Sequence, residues 1–342
     1  MVDSELRKGL TGEATGQLLM EGKTGSQRLR EATGVCGTLL FLAVLPSSAL
    51  SQTCSRVGPT LVFGNVDVLP GAASDSTAPL TISCSGGSPS NNITRNCASI
   101  PGGSQSDGTS RRMVGPGGNY LRYEIYSDSS RTARWGSWET GYASAGVTIN
   151  VPYNSSSSAT TYGRVLGAQQ TAVPGSYSDT YTNIIIDRYR YNPGSTLCLT
   201  GTATLAASFT ITATVISSCT IGASPLNFGS SGVLTTNRDA STTLSVQCSN
   251  TLPYTVALDG GTAPVAADPT QRKMKLSART ITYGLYRDSA RSLPWGSTTG
   301  STTVSGMGTG LSQNLTVYGR VPAQATPSPG TYSDTIVATV TY

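Results

Sequence analysis

The strings LRYEIYSD (121–128) and RWG (134–136) return, at the same spacing, as ITYGLYRD (281–288) and PWG (294–296). The correspondence extends outward on both sides. Upstream, LVFGNV (61–66), TISC (81–84) and RRM (111–113) match LNFGSS (226–231), SVQC (245–248) and RKM (272–274). Downstream, TYGRV (161–165), AQ (168–169) and PGSYSDT (174–180) match VYGRV (317–321), AQ (323–324) and PGTYSDT (329–335). The order is conserved and the gaps are similar, so one domain plan is used twice.

Each copy reads as β-structure. Residues 208–216 (SFTITATVI) alternate apolar and small polar side chains along one long strand, and 315–321 and 332–342 do the same. Pro, Gly and Asn punctuate the runs, as at 116–119 (PGGN) and 327–330 (PSPG). No helical period survives three turns beyond residue 52. The low charge of 12% and the 39 glycines suit short strands and many turns. The expected architecture is all-β, with two antiparallel sandwiches in tandem.

Composition also excludes functions. The chain has no histidine, which removes the usual general base and the commonest metal ligand. A Ser-His-Asp or Cys-His site is impossible, and no metal, cofactor or catalytic residue is expected. The net charge of +5 is spread thinly, with no Lys/Arg run to track phosphates, so nucleic acid is not expected as a partner.

Residues 28–52 (RLREATGVCGTLLFLAVLPSSALSQ) combine Arg28 and Arg30, an apolar run over 35–45 and the small-x-small pattern of Ser47-Ser48-Ala49. That is the form of a secretory signal cleaved near Ala49 or Ser51. The competing reading is a buried segment of the mature fold. Signals rarely begin so far in, so Met20 serves as a start and residues 1–19 as upstream sequence. The expected divisions are 1–51 for the extension and signal, 52–201 for the first domain and 202–342 for the second.

Seven cysteines are present, and Cys36 falls in the signal. The second copy holds only Cys219 and Cys248, which therefore pair. Their repeat equivalents pair as Cys54–Cys84, which leaves Cys97–Cys198. An even set without CxxC spacing fits an oxidising compartment.

Asp128, Asp179 and Arg164 recur as Asp288, Asp334 and Arg320, and Trp135 as Trp295. Acid–base catalysis is one reading of the carboxylates. Recurrence in both copies favours turn capping, Arg–carboxylate pairing and core packing. Features of one copy are the candidates for binding: Trp138 and Tyr142 in WGSWETGY (135–142), then Val151, Pro152 and Tyr153 in VTINVPY (147–153). As loop-tip fingers, each aromatic would contribute about 1.5–3 kcal/mol by burial against a surface. The alternative is that they fold back as a satellite core. In the second copy, Arg272, Lys273 and Lys275 read as a solvated loop or a partner's salt-bridge site. The sequons at Asn92, Asn154 and Asn314 matter only in a eukaryotic secretory route.

The ordered set RRM, YSD, WG, YGR, AQ and PGSYSDT resembles the spore coat protein U-like domain, the family that includes subunits of archaic, Csu-type chaperone–usher pili. The resemblance covers both halves, from about Cys54 to Tyr342, and two domains behind one signal look like the two-domain tip adhesin of such pili. It implies immunoglobulin-like sandwiches, the C-terminal one lacking its last strand. It also implies a periplasmic chaperone, an outer-membrane usher and an adjacent pilin that donates a strand as partners. Export through the periplasm to a pilus tip, or secretion, and attachment to abiotic or host surfaces in biofilm formation follow from the same resemblance.

On this reading the strand-pairing residues are Thr335, Ile336, Val337, Val340 and Tyr342, at the last strand of the second copy. In the first copy, residues 196–201, pinned by Cys198, are expected to close the sandwich. Cleavage near Ser51 leaves little before Cys54 to donate, which suits a terminal position in a filament. The alternative function is a secreted structural coat or matrix protein built from the same domains without a pilus.

Overall fold

The computed structural model describes residues 53–86, 93–138, 142–143, 145–190, 198, 203–263 and 268–342. The expected signal over 28–52 lies outside them. Among the described residues the chain is all-β, with a single short 3-10 turn at Pro116–Gly118.

The first half contains β1 (Thr53–Val57), β2 (Leu61–Val66), β3 (Ser74–Ser85), β4 (Ile93–Ser99), β5 (Arg111–Val114), β6 (Tyr120–Tyr126), β7 (Val147–Pro152), β8 (Ser156–Val165), β9 (Gly175–Arg190) and β10 (Ala203–Val215). One run of neighbours is β1-β3-β8-β6-β5, and the other is β7-β4-β9-β10-β2. They join at one pair, Val114↔Ser178, so the sheet curls around a shared core. Alternation fills that core: Ala78, Leu80, Ile82 and Cys84 of β3 face inward, as do Phe209, Ile211, Ala213 and Val215 of β10.

The second half contains β11 (Cys219–Ala223), β12 (Arg238–Cys248), β13 (Pro253–Leu258), β14 (Arg272–Leu276), β15 (Arg279–Tyr286), β16 (Val304–Met307), β17 (Gln313–Val321) and β18 (Ala338–Thr341). Its sheets run β11-β12-β17-β15-β14 and β16-β13-β18, the same orders as in the first half. The bridge Lys275↔Ser333 stands where Val114↔Ser178 stands in the first half. The duplicated sequence has folded as a duplicated sandwich.

One expectation is corrected. The alternating stretch placed at the opening of the second domain is β10, which belongs to the first sheet. It runs antiparallel to β9 and parallel to β2. Periodicity identifies a strand but not the sheet that takes it, and a division after residue 201 separates β10 from its own core. The sheets change between Val215 and Cys219. Of the segment 196–201 expected to close the first sandwich, only Cys198 lies within the described residues.

The disulfides are Cys54–Cys84, Cys97–Cys198 and Cys219–Cys248. The first and third join directly paired strands, β1 to β3 and β11 to β12. Between the halves, the Ser218 hydroxyl donates to the Asp67 carboxylate at 3.2 Å, and Asn250 Nδ2 donates to the Thr171 carbonyl at 2.8 Å.

Candidate functional site

The two halves differ most at the edge of one sheet. In the first, β10 lies between β9 and β2 and seals the core with four side chains. Phe209 stacks on Tyr181 with ring centroids 4.8 Å apart, and Ile211, Ala213 and Val215 follow at alternate positions, all buried. Beneath them Leu61, Met113, Leu121, Tyr177 and Tyr181 are buried too.

Among the described residues, no strand takes the place of β10 in the second half. The repeat of β2, residues 226–231, therefore has no pairing partner and forms no strand. The counterparts of those five buried residues are Leu226, Met274, Ile281, Tyr332 and Ile336, and every one is only half-buried. Among the described residues, twelve partly buried apolar residues border the second core, against four around the first. Half-covered apolar side chains beside an unpaired strand edge form an open apolar groove.

The expected pairing residues lie along this groove. Ile336, Ala338 and Val340 alternate toward the core, while Thr335, Val337 and Tyr342 are exposed. On one side the strand is occupied. Val340 pairs with Val256, the Val337 amide donates to Asp259 Oδ1 at 3.0 Å, and the Asp259 amide donates to the Val337 carbonyl at 3.1 Å. Its other edge has no strand beside it among the described residues.

Polar residues shared by both halves hold the fold. Asp128 accepts from the amides of Thr132 and Ala133, and Asp288 from those of Ser292 and Leu293, so each caps its turn. Arg164 clamps Asp75 through two bonds of 2.7 and 2.9 Å, and Arg320 clamps Asp239 through two of 2.8 Å. Trp135 and Trp295 are buried and donate to the carbonyls of Ala98 and Val256.

Arg272 does not lie in a solvated loop. It is buried, and its guanidinium donates to the carbonyls of Leu258, Asp259, Pro269 and Trp295. The sequence signal is its match to Arg111, which is buried against Glu124 and donates to the Ile100 and Trp135 carbonyls.

Asp179 and Asp334 hold the same position in the repeat and differ in their surroundings. Asp179 sits opposite Ile211, and the Tyr123 hydroxyl donates to it at 2.7 Å. Burial outweighs that bond and pushes its pKa above the ordinary aspartate value. At Asp334 burial also pushes upward, but hydrogen bonds from the Thr262 hydroxyl and amide and from the Tyr283 hydroxyl prevail and hold it below.

The aromatics expected as fingers divide. Trp138 is half-buried and packs on the Cys97–Cys198 disulfide. Tyr142 donates to Glu124 at 2.9 Å with its ring under the Arg111 guanidinium. Val151 is fully buried on the inward pleat of β7 beside Ile149, and so offers nothing to an external surface. Pro152 is exposed and Tyr153 half-buried at the turn that follows. The alternation of β7 is the signal for this: Ile149 and Val151 share one face, Asn150 and Pro152 the other.

A family model of the Spore Coat Protein U domain matches residues 40–183 and again 205–339. Protein U of Myxococcus xanthus is 38% identical over 104 residues, which cover 29% of this chain and 58% of that protein. The match thus spans little more than half the length of that relative. Among solved structures, the chaperone–tip adhesion subunit pre-assembly complex CsuC–CsuE, from the archaic chaperone–usher Csu pili of Acinetobacter baumannii, aligns with a TM-score of 0.51 at 18% identity. That alignment covers 85% of this chain and 100% of the other. The likeness is one of fold.

Proposed function

The chain belongs to the Spore Coat Protein U domain family, and we propose that it is an exported, non-catalytic tip subunit of a chaperone–usher pilus. The first half attaches to abiotic or host surfaces and so supports biofilm formation, and the second anchors to the filament by accepting a strand. The observation that carries this reading is the missing counterpart of β10. A sandwich whose core is open along one sheet edge exposes both apolar side chains and unpaired backbone groups, a combination that aggregates unless a partner strand covers it. A periplasmic chaperone covers it first and an adjacent pilin later, with an usher at the outer membrane between the two events. Three disulfides among the described residues suit the oxidising compartment that such a route crosses.

Expression in a bacterial periplasm with and without a pilus chaperone tests the anchoring role. The expected result is soluble chain whose second half resists protease only when the chaperone is present. A second half that is fully protected without any chaperone would defeat the proposal. It would favour a self-contained coat or matrix protein, the reading toward which the description of the family, Spore Coat Protein U domain, leans.

For attachment, the turn after β7 is the part of the expected surface that remains available. Tyr153→Ala with Pro152→Ser is expected to reduce binding of the intact chain to a hydrophobic surface severalfold, with the thermal midpoint unchanged. Trp138→Ala is expected to lower stability by about 1–3 kcal/mol, since it removes half-buried packing on a disulfide. Unchanged surface binding by the Tyr153/Pro152 variant would move the attachment face elsewhere.

A further inference from the structure

The first half contains a filled version of the groove that the second half leaves open. β10 fills it, and β10 leads directly into Cys219, the first residue of the second half's β11. The two halves are therefore related as acceptor and donor within one chain. Resting on the acceptor role proposed above, we infer that the partner strand has the build of residues 209–219. Four inward side chains alternate, namely a bulky apolar residue, a second apolar residue, a small residue and a β-branched one. A half-cystine that opens a second folded domain then follows four positions after the last of them.

Each position is fixed by what lies opposite. Phe209 pairs with Tyr181, Ile211 with Asp179, Ala213 with Tyr177 and Val215 with Gly175. The repeat places Ile336, Asp334, Tyr332 and Gly330 at the same four stations of the second half. Ile336 offers an apolar face to a bulky first residue. The third position must be small because of the tyrosine there. Tyr177 is buried, and its hydroxyl donates to the Val173 carbonyl at 2.7 Å. Tyr332 takes the same posture, donating to the Ser328 carbonyl at 2.8 Å, so its ring fills the space that a larger residue would need. The direction carries over as well: the partner runs antiparallel to the last strand and parallel to 226–231, as β10 does to β9 and β2.

The short spacing to the half-cystine rests on a second observation. Val68 is 4% exposed in the first half, and its counterpart Val233 is 56% exposed. Val68 lies next to Asp67, where Ser218 docks, and close to Val66, whose carbonyl accepts from the Ile216 amide at 3.1 Å. Val68 is thus packed into the first core beside the chain that leaves β10, whereas Val233 is left outside the second core. An exposed valine at the matching end of the second half marks where the chain leaving a partner strand would pass, and a partner that follows β10 over these residues reaches its half-cystine at the same short spacing.

The test uses the full chain with a copy of 203–216 added after Tyr342 through a copy of 191–202 carrying Cys198→Ser. Hydrogen exchange of the amides of 226–231 and β18 reports insertion, and limited proteolysis reports closure. The in-register copy is expected to slow exchange at 226–231 by about tenfold or more, since these amides pass from an unpaired edge to a ladder. A copy with one extra residue before Phe209, so that the pleat inverts, and a copy with Ala213→Trp are both expected to give no protection. Equal protection by either altered copy would overturn the inferred pattern while leaving the acceptor role intact. So would failure of the true copy where a chaperone strand succeeds. Full protection of 226–231 in the chain with no added strand would instead remove the acceptor role itself.

Discussion

Ile211→Asp will unfold the first half of the chain, whereas Thr214→Asp, three residues further along the same strand, will leave it folded. Ile211 is fully buried between β9 and β2, at the centre of the four side chains that seal the first core. Its replacement forfeits the transfer of a large aliphatic side chain and places a carboxylate where nothing can solvate it. The cross-strand neighbour in register is Asp179, already a carboxyl whose pKa burial has raised, so the new group meets like charge as well as low dielectric. Together these effects cost at least about 4 kcal/mol, a large share of the stability of a domain of this size. Thr214 points outward and is exposed, so a charge there costs within about 0.5 kcal/mol.

Hydrogen exchange of β3 and β9 reports the loss, and β12 and β17 of the second half act as an internal reference. Two equally tolerated substitutions would mean that β10 does not close the first sandwich. The comparison between halves would then lose its basis.

The contrast between a filled and an open sandwich is only half legible in the amino-acid sequence. Duplication, strand periodicity and the pairing of cysteines within each copy are one-dimensional signals, and they lead to the two-sandwich architecture. The place of 203–215 is not of that kind. SFTITATVI announces a strand equally well at the end of one domain or the start of the next, and only its pairing with β9 and β2 decides. Trp138, Tyr142 and Val151 stand out because only one copy has them. Uniqueness to one copy selects a private core as readily as a private surface. Here Trp138 covers a disulfide that only the first half has, and Tyr142 covers a carboxylate, Glu124, whose counterpart is Gly284.

That private carboxylate leads to an expected order of effects among Arg111→Met, Glu124→Gln and the double variant Arg111→Met/Glu124→Leu. Arg111 and Glu124 are both fully buried and ion-paired. Glu124 also accepts from the Ile125 amide and the Tyr142 hydroxyl, each at 2.9 Å, and Arg111 also serves the Ile100 and Trp135 carbonyls. Removing the guanidinium strands a buried carboxylate and three carbonyls, those of Ile100, Pro101 and Trp135, which costs about 3–5 kcal/mol. The partly exposed Arg134, 3.6 Å from Glu124, offsets a fraction of that.

Glu124→Gln should cost less, because the arginine keeps its carbonyls, the amide oxygen still accepts from the Ile125 amide, and the amide nitrogen donates to the Tyr142 hydroxyl oxygen. The second half supports this order from within the molecule: Arg272 stays buried on backbone carbonyls, including that of Trp295, with Gly284 at the position that matches Glu124. The double variant removes both charges at once and should recover part of the single arginine loss, by about 1 kcal/mol or more of coupling. Denaturant unfolding followed by hydrogen exchange in β5 and β6 measures all three. If Arg111→Met and the double variant are equally destabilised, the pair is not coupled, and the carbonyl bonds alone account for the buried arginine in both halves.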